Sequence, residues 1–389
     1  MNRWSQLRRV LICITLALCH AVQAAGPVSS DPGVTVRLFT ASPNIVSPIG
    51  IAVDQRNRVF VLESHTLLPA AGTKGAGRDV IKMFPDEDGN GQADGMGVFR
   101  DDLFQALNMA FAPNGELYVV QRNSVVVLTD ANNDGTAEKS RIILKLECVQ
   151  TDPHAGLIGI AFGPDGRLYV SRGHVEGFPW AIVGSDASRI HGYGDGGNII
   201  RCLPDGSKVE EVATGFCSPT ALEFDRGGRL FCTDNDPESR GPDRLLHVIP
   251  GGNYGYRTRF GKDGLHAYQD WEGRLPGTLP MISSTGDVPA GLIDTGRGAL
   301  SARYKDTLLA TAWSGHSIDR FKLSPKGLSA VAQREIWIKG DDDFRPVALA
   351  AGGKGVIYVT DWVQSTFNNH GAGRIWSILA KTAASPAPS

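Results

Sequence analysis

The chain has 389 residues and a formal charge of −2 at pH 7. Because no basic patch is evident in a chain so close to neutral, nucleic acid and anionic membrane surfaces are not expected as partners. No C-x-x-C-H motif occurs, which excludes a covalently attached c-type haem.

The first residues carry the pattern of a secretory signal peptide. Arg3, Arg8 and Arg9 form a positive region, residues 10–18 are apolar, and residues 22–24 supply small side chains for cleavage. The apolar stretch is too short to span a membrane. We therefore expect residues 1–24 to be removed from a periplasmic or secreted protein. Since three arginines and no acidic residue leave with the peptide, the formal charge falls from −2 to −5.

Four cysteines remain after this cleavage, and they are Cys148, Cys202, Cys217 and Cys232. Disulfides are permitted outside the cytoplasm, but four cysteines allow three pairings and the sequence does not choose among them. Cys19 leaves a lipoprotein site open as an alternative to cleavage after Ala24. Residues 381–389 are rich in Ala, Pro and Ser, which predicts a disordered tail.

A strand–turn–strand unit recurs six times along the mature chain. The copies are IGIAVDQRNRVFVLES, LNMAFAPNGELYVVQR, LIGIAFGPDGRLYVSR, TALEFDRGGRLFCTDND, the looser AGLIDTGRGALSARYKDTLLATAW, and PVALAAGGKGVIYVTDW. They lie about 60 residues apart, a spacing typical of repeat architectures. Further strand-like runs such as SVVVLTD follow the hairpins, and no long segment has the 3.6-residue period of a helix. The pattern predicts an all-β fold, a six-bladed β-propeller of four-stranded antiparallel blades over residues 32–380.

The two ends of this region predict how the ring closes. Residues 34–39, VTVRLF, are expected to form the outer strand of the last blade beside residues 373–378, GRIWSI. Such pairing of the first and last strands joins the termini of a propeller.

Polar residues collect where the six hairpins open. Because an antiparallel hairpin brings its ends together, the loops before the innermost strands and after the second strands should share one face, here called the mouth face. The residues in those loops are Asn108, His154, Ser218, Asp287 and Arg345 before the innermost strands, and His65, Arg122, His174, Asp234, Asp236, His316, Asp361 and Trp362 after the second strands. Each alone is consistent with an ordinary solvated loop or turn cap, and the tryptophan with packing between blades. Their convergence from six blades predicts a ligand pocket.

Two acidic loops match the first nine positions of a calcium-binding loop. DEDGNGQAD supplies Asp86, Asp88, Asn90 and Asp94, and DANNDGTAE supplies Asp130, Asn132, Asp134 and Glu138. Both lack the glutamate expected at the twelfth position, where Gly97 and Arg141 stand. A plain turn between outer strands and a weak calcium site both remain open, and neither would be catalytic.

Several motifs together resemble a known family. HAGLIGIAFGPDGRLYVSRG, ATGFCSPTALEFDRGGRLFCTDNDP and HVIPGGNYGYR are similar to the soluble glucose/sorbosone dehydrogenases of the PQQ-dependent sugar dehydrogenase superfamily. ESHTLLP, LPGTLPM, FRPVALA and GRIWSI are closer to membrane-bound dehydrogenase propeller domains. The resemblance implies a six-bladed propeller that oxidises sugars or related alcohols with pyrroloquinoline quinone (PQQ) over a calcium ion.

The resemblance also implies roles for individual residues. His154 matches the general base of the family, and Arg345 matches an arginine that contacts the quinone. Tyr254 and Tyr256 lie in the GGNYGY stretch assigned to cofactor binding. Asp236 and Pro237 stand where a Gly-Pro pair helps to hold calcium. His65, His174, His316, Asp361 and Trp362 would complete the pocket.

The chain departs from the family at one prominent position. The family reads Gly-x-Arg-Asn-Pro where this chain has Gly-Phe-Cys-Ser-Pro, so Cys217 replaces an arginine that faces the quinone. The leading interpretation is a periplasmic sugar or alcohol oxidoreductase that uses PQQ and calcium and passes electrons to an external acceptor such as a cytochrome. The alternatives are a non-catalytic propeller that binds a carbohydrate or a protein, and a calcium-dependent lactonase-like hydrolase that uses mouth carboxylates such as Asp234, Asp236 and Asp361.

Overall fold

The protein forms six antiparallel sheets arranged as blades around one channel, so the predicted six-bladed propeller is confirmed. The computed structural model describes residues 26–68, 77–149, 153–175, 177–194, 196–236, 241–256, 270–297, 300 and 302–381. The predicted signal peptide, residues 1–24, and residues 382–389 of the predicted tail lie outside these residues. In the described part, no helix is both long enough and apolar enough to cross a membrane.

The strands follow the chain in regular order. They are β1 (Val28–Ser29), β2 (Val34–Ala41), β3 (Pro48–Val53), β4 (Arg58–Glu63), β5 (Asp79–Pro85), β6 (Gly97–Leu103), β7 (Ala106–Phe111), β8 (Leu117–Gln121), β9 (Ser124–Thr129), β10 (Lys139–Cys148), β11 (Leu157–Phe162), β12 (Leu168–Arg172), β13 (Pro179–Gly184), β14 (Arg189–Tyr193), β15 (Gly197–Cys202), β16 (Glu210–Phe216), β17 (Ser218–Phe224), β18 (Leu230–Asn235), β19 (Arg244–Val248), β20 (Ser283–Ser284), β21 (Leu292–Asp294), β22 (Thr307–Ala312), β23 (Ser317–Lys326), β24 (Ser329–Lys339), β25 (Pro346–Ala351), β26 (Val356–Asp361) and β27 (Arg374–Ala380). Short 3-10 turns occur at Pro153–Ala155, Thr295–Arg297, Ala302–Tyr304 and Gly353–Gly355.

Each blade begins with one of the repeated hairpins. Blade 1 is β3-β4-β5-β6, blade 2 contains β7-β8-β9-β10, blade 3 is β11-β12-β15-β16, blade 4 is β17-β18-β19-β20, blade 5 contains β21-β22-β23-β24, and blade 6 is β25-β26-β27-β2. The innermost strands β3, β7, β11, β17, β21 and β25 contact their neighbours around the ring. They enclose a channel of about 430 Å³.

The hydrophobic core lies between adjacent blades. One cluster joins Val120 and Val125 of blade 2 to Leu157 and Val170 of blade 3, and all four side chains are fully buried. Burial of such a side chain contributes about 1.5–3 kcal/mol. The apolar residues that alternate along each strand therefore hold neighbouring blades together, and the core is divided into several clusters around the ring.

The ring closes as the terminal strands predict. β2 pairs antiparallel with β27, and Val36 lies opposite Ile378. β1 adds a short fifth strand to blade 5, where Val28 lies opposite Lys339. The beginning of the described chain is thus hydrogen-bonded to two successive blades.

One element departs from the simple repeat. The hairpin β13–β14 follows β12 of blade 3 in the chain, but β13 pairs with β10 of blade 2, with Trp180 opposite Cys148. Blade 2 therefore has six strands, and the hairpin ties blades 2 and 3 together. None of the four cysteines 148, 202, 217 and 232, all of which the structure describes, forms a disulfide.

Candidate functional site

The hairpin pairing places the predicted mouth residues at one edge of each blade. Leu157 at the start of β11 lies opposite Arg172 at the end of β12. His154 belongs to the 3-10 turn just before β11, and His174 follows β12 by two residues. Their rings are nearly parallel at 12°, with centroids 6.4 Å apart. The structure thus brings the two histidines together.

His154 is held on two sides. Its Nδ1 atom lies 2.9 Å from the hydroxyl oxygen of Ser218, across the boundary between blades 3 and 4. Its backbone carbonyl oxygen also packs closely against Gly173. A Cβ atom built on Gly173 would lie only 1.7 Å from that oxygen. Any other residue at position 173 would therefore displace the turn. The imidazole is half-buried, so it retains access to the mouth.

His174 is buried, with 4% of its surface exposed. Its backbone N–H and its Nδ1 both lie near the carbonyl oxygen of Cys217, at 2.9 and 3.1 Å. Because a carbonyl only accepts hydrogen bonds, Nδ1 carries the proton, and in the neutral ring Nε2 offers a lone pair. The Tyr256 ring stands 5.4 Å from the His174 ring, and the Cys217 Sγ atom is 3.6 Å from Nδ1. These residues form one polar cluster at blades 3 and 4.

Two buried carboxylates at the mouth ends of second strands form ion pairs with arginines. Asp234 accepts hydrogen bonds from the backbone of Cys217 and Ser218 and from Arg244, and neither partner of that ion pair is exposed. Asp361 is also fully buried and accepts from the backbone N–H of Arg345 and from Arg374. Burial raises the pKa of both carboxyls, while the arginine beside each opposes that rise. Because these carboxylate oxygens already accept hydrogen bonds from the backbone and from arginines, they are not available as two of the ligands that a lactonase-like calcium centre would use.

In four blades, a side chain at the end of the second strand stabilises the mouth loop. The last or penultimate residue of the second strand accepts a backbone N–H from the loop before the innermost strand. The acceptors are Glu63 for Val46, Gln121 for Phe104, Asp234 for Cys217 and Asp361 for Arg345. Blade 3 has Arg172 at the corresponding place, opposite Leu157. The mouth loop of His154 is therefore anchored differently from its counterparts.

A second polar cluster lies at blades 5 and 6. The Arg345 guanidinium stacks on Trp313, 4.6 Å from the ring centroid. The Arg345 Nε atom is buried and has no hydrogen-bond acceptor among the described residues, nor does any described carboxylate form an ion pair with this side chain. The exposed ring of Phe367 stacks on Trp313 at 4.6 Å. This cationic side chain suits an anionic group of a ligand.

The remaining predicted pocket residues are placed around these clusters. His316 donates from Nδ1 to the Phe344 carbonyl at 3.0 Å, next to Arg345. Trp362 is buried and donates from Nε1 to the Thr366 carbonyl at 2.6 Å. His65 belongs to blade 1, where its Nε2 lies 3.4 Å from the Glu63 carboxylate.

Tyr254 does not reach the mouth. Its side chain is fully buried in the core between blades 3 and 4, where its hydroxyl donates to the His247 carbonyl and accepts the Ile249 N–H. Burial raises the pKa of this phenol to about 12. Its place in the GGNYGY stretch predicted a cofactor contact, but in this position it packs and Tyr256 is the tyrosine beside His174.

Asp236 is held beside the first cluster. Its backbone N–H donates to Asp243 at 2.6 Å, and its Oδ1 is 4.0 Å from the Cys217 sulfur. Burial raises the pKa of Asp243 to about 6, helped by the nearby Asp234 and Asp287 charges and opposed by hydrogen bonds from the backbone of Asp236 and Val288. Pro237 lies outside the described residues. Asp243 had no signal in the sequence beyond its place in the loop after β18.

The two acidic loops lie on the face opposite the mouth, at the turns between third and fourth strands. Asp86 accepts the N–H groups of Asn90 and Gly91, and Asp130 accepts those of Asp134 and Gly135 in the same pattern. Carboxylate oxygens of Asp86, Asp88 and Asp94 lie within 4.8 Å of one another, as do those of Asp130, Asp134 and Glu138. Asn90 and Asn132 face their own loops by donating to Asp88 and Asp134. Neither loop reaches the His154 cluster.

Comparison with solved structures places this fold among sugar dehydrogenases. A glucose dehydrogenase-type oxidoreductase from Thermus thermophilus aligns with a TM-score of 0.63 at 19% identity, over 89% of this chain and 100% of that one. The PQQ-bound aldose sugar dehydrogenase of Streptomyces coelicolor gives 0.61 at 16% identity, over 91% and 99%. The apo-form of the soluble aldose sugar dehydrogenase from Escherichia coli gives 0.63 at 13% identity, over 89% and 99%. The fold of the predicted family is thus confirmed.

Sequence comparison identifies a family for this chain. No curated protein matches this chain. One family model matches residues 22–266, which is more than half of the chain and contains strands β1 to β19, including blades 1 to 3 and three of the four strands of blade 4. The chain therefore belongs to the family described as "Domain of unknown function (DUF7133)".

Proposed function

We propose that this chain is an exported oxidoreductase that oxidises a sugar or a related alcohol, with His154 as the general base. The observation that carries this proposal is the placement of His154, half-buried at the mouth and bonded through Nδ1 to Ser218. A general base must be held within reach of the proton it removes, and an imidazole titrates near neutral pH. The sugar dehydrogenases that share this fold favour this reaction class over others.

The mouth residues at blades 5 and 6 are compatible with one carboxylate end of PQQ. PQQ carries three carboxylates, and Arg345 offers a guanidinium whose buried Nε meets no acceptor in the described part of the chain. The Arg122 side chain also belongs to the mouth, but it is buried and engaged within the protein. We infer that Arg345 would bind a cofactor carboxylate. Cys217 carries no cation.

The chain's own residues would then perform the following steps. When bound, the quinone supplies the acceptor for the hydride that leaves the substrate carbon. His154 takes the proton of the substrate hydroxyl at Nε2, in the tautomer in which Nδ1 carries a proton and donates it to the Ser218 hydroxyl. His174 orients the substrate by accepting a hydroxyl hydrogen at its Nε2 lone pair, since its Nδ1 proton is directed to the Cys217 carbonyl. Electrons must then pass to a separate acceptor, such as a cytochrome.

Calcium has two proposed positions in this protein. Asp236, with Pro237, would contribute to an ion at the mouth, by analogy with the family pattern. The two acidic loops would bind calcium on the opposite face, where each brings three oxygen ligands within 4.8 Å. An ion at the loops would be structural, because no loop residue lies near His154.

A binding propeller without catalysis is the second candidate function. Cys217 stands where the resemblance expects an arginine, which lowers the positive charge available to an anionic cofactor. Such a protein would keep the pocket and lose the redox reaction.

One experiment separates these functions. The purified mature protein is titrated with PQQ in the presence of calcium, and absorbance, melting temperature and dye reduction with glucose and other aldoses are followed. We expect saturable PQQ binding and sugar-dependent dye reduction. Sugar binding without PQQ binding or turnover would support the binding propeller instead, and hydrolysis of a lactone that a chelator abolishes would support a hydrolase.

A further inference from the structure

A second cavity opens beside the histidine cluster. It has a volume of about 330 Å³ and lies between the hairpin β13–β14, the outer strands of blade 3, and the loop that contains Asn253 and Tyr256. Its size is in the range of small-molecule sites. The lining includes Trp180 and His191 from the hairpin and Asn198, Glu211 and Thr214 from blade 3. The additional hairpin, which the other blades lack in the described part of the chain, forms one of its walls.

Trp180 is an unusual wall residue. Only 5% of its surface is exposed, and its indole Nε1 finds no hydrogen-bond acceptor among the described residues. A buried donor without an acceptor is unfavourable, and native proteins rarely retain one. A ligand oxygen in this cavity would satisfy it.

The indole is fixed in place by its neighbours. The Arg172 guanidinium stacks on its ring at 3.8 Å from the centroid, and Arg172 is itself fully buried. Gly192 lies opposite Trp180 in β14, where a Cβ would approach the ring to 2.6 Å. Arg172 also occupies the position that stabilises the mouth loop in four other blades. In blade 3 this position therefore supports the Trp180 ring and does not accept a hydrogen bond from the mouth loop.

The groups around the cavity match a neutral polyhydroxylated ligand. Trp180 offers a donor, and the Glu211 carboxylate, whose Oε2 accepts from Asn198 at 3.0 Å, offers an acceptor. Thr214 and Asn253 add groups that bond hydroxyls, because a hydroxyl ligand both donates and accepts. The Glu211 carboxylate and the Arg172 guanidinium both line the cavity and offset each other, which favours a ligand without net charge. A sugar ring satisfies this combination of an aromatic wall with mixed donors and acceptors.

The cavity adjoins the proposed catalytic site. Tyr256 lines it, and the Tyr256 ring stands 5.4 Å from His174. We propose that this cavity is a subsite for one sugar unit of a disaccharide or longer saccharide whose neighbouring unit lies at His154. This inference rests on the proposed function, since it names the substrate class of the same site.

The test measures saccharide binding to the purified protein without added PQQ. Glucose, cellobiose and maltose are titrated by calorimetry into the wild type, Trp180→Phe and Trp337→Phe. Trp180→Phe keeps an aromatic ring over Arg172 and removes the N–H, so we expect at least one disaccharide to bind about five- to tenfold more weakly. Trp337 is the control, because its Nε1 already donates to the Tyr304 hydroxyl at 3.1 Å.

The outcomes distinguish the subsite from the reaction. His154→Gln should abolish oxidation, and Trp180→Phe should still weaken disaccharide binding when it is added to His154→Gln. Trp180→Phe alone should raise KM for the disaccharide without lowering kcat for glucose. If disaccharides bind through Trp180 but no sugar is oxidised, the subsite stands and the proposed function fails. If no saccharide binds, or if Trp180→Phe binds as tightly as the wild type, the inference is overturned and water alone satisfies the indole.

Discussion

The Nδ1 atom of His154 and the hydroxyl oxygen of Ser218 lie 2.9 Å apart, although the residues are 64 positions apart in the chain. The backbone of Ser218 donates to Asp234 at 2.8 Å, and Asp234 is paired with the fully buried Arg244. A buried ion pair in blade 4 therefore fixes the hydroxyl that orients the proposed base of blade 3. Ser218 stands in the stretch where this chain departs from the dehydrogenase pattern.

Ser218→Ala should reduce turnover by misorienting His154. Loss of one neutral hydrogen bond corresponds to about a fivefold decrease in kcat, because such a bond contributes about 1 kcal/mol and each 1.36 kcal/mol is tenfold in rate. KM should change little, the acidic limb of the pH profile should shift, and Ser218→Thr should restore activity. An unchanged pH profile with full turnover in the alanine variant would show that the hydroxyl does not position the imidazole.

His154→Gln should abolish oxidation while the melting temperature barely changes. A general base contributes roughly 10²–10⁴-fold to the rate, whereas replacement of a half-exposed loop residue usually costs under about 0.5 kcal/mol. His174→Gln should instead raise KM, since His174 is proposed to orient the substrate. Dye-linked kinetics and thermal melts of both variants check this. Full turnover of His154→Gln would refute the base, and unfolding would make His154 a structural residue.

Arg244→Met should destabilise the protein more than Arg374→Met. Both arginines pair with a fully buried aspartate, but the Arg244 side chain is completely buried and 19% of the Arg374 side chain is exposed. Removal of one partner of a buried pair costs about 3–5 kcal/mol, because a charge remains in the interior. Denaturant unfolding measures the difference. The double variant Asp234→Asn with Arg244→Met should recover part of the loss, and equal stability of the two single variants would contradict the burial argument.

Asp243 should make stability fall as the pH rises through about 6. Its pKa is raised to about 6 in the folded protein, while an unfolded aspartate titrates near 3.9. The protonated folded form is therefore favoured at low pH, and this stabilisation disappears between roughly pH 4 and pH 6. The loss is on the order of 2–3 kcal/mol, since one pKa unit corresponds to 1.36 kcal/mol.

The pH dependence of the free energy of unfolding is compared between the wild type and Asp243→Asn, whose side chain cannot ionise. The amide offers one acceptor in place of the two oxygens that bond Asp236 and Val288, so the variant should be less stable at pH 4. Relative to wild type, its stability should then increase as the pH is raised to 8. A difference that stays constant between these pH values would rule out an elevated Asp243 pKa.

Calcium should stabilise the fold modestly through the two acidic loops. Each site at tenfold excess over its dissociation constant contributes about 1.4 kcal/mol. Asp88→Ala and Asp134→Ala should each remove part of the shift, because these exposed carboxylates belong to the two groups of converging oxygens. Thermal melts in calcium and in chelator measure it, and identical melting temperatures would leave the loops as plain turns.

The sequence by itself determined the propeller. Six hairpins with alternating apolar residues and glycine- or asparagine-containing turns require β-sheets, because the period of two and the turn positions are local properties. The same local order placed His154 and His174 at one edge, since an antiparallel hairpin must bring its ends together. The closing strand Val34–Ala41 was predictable for the same reason, as the last blade otherwise lacked an outer strand.

Only the tertiary structure decided which side chains serve the site and which serve the scaffold. Asp234 and Asp361 lie at the ends of second strands, on the same mouth face as His154, yet arginines from neighbouring strands engage both. Tyr254 and Tyr256 are two residues apart, but one is packed in the core and the other stands beside His174. In the sequence, the hairpin β13–β14 has the pattern of two ordinary strands. Its pairing with blade 2 is a tertiary contact, and that contact creates the cavity lined by Trp180. Partners of this kind come from distant parts of the chain, and packing, which depends on the whole fold, selects them.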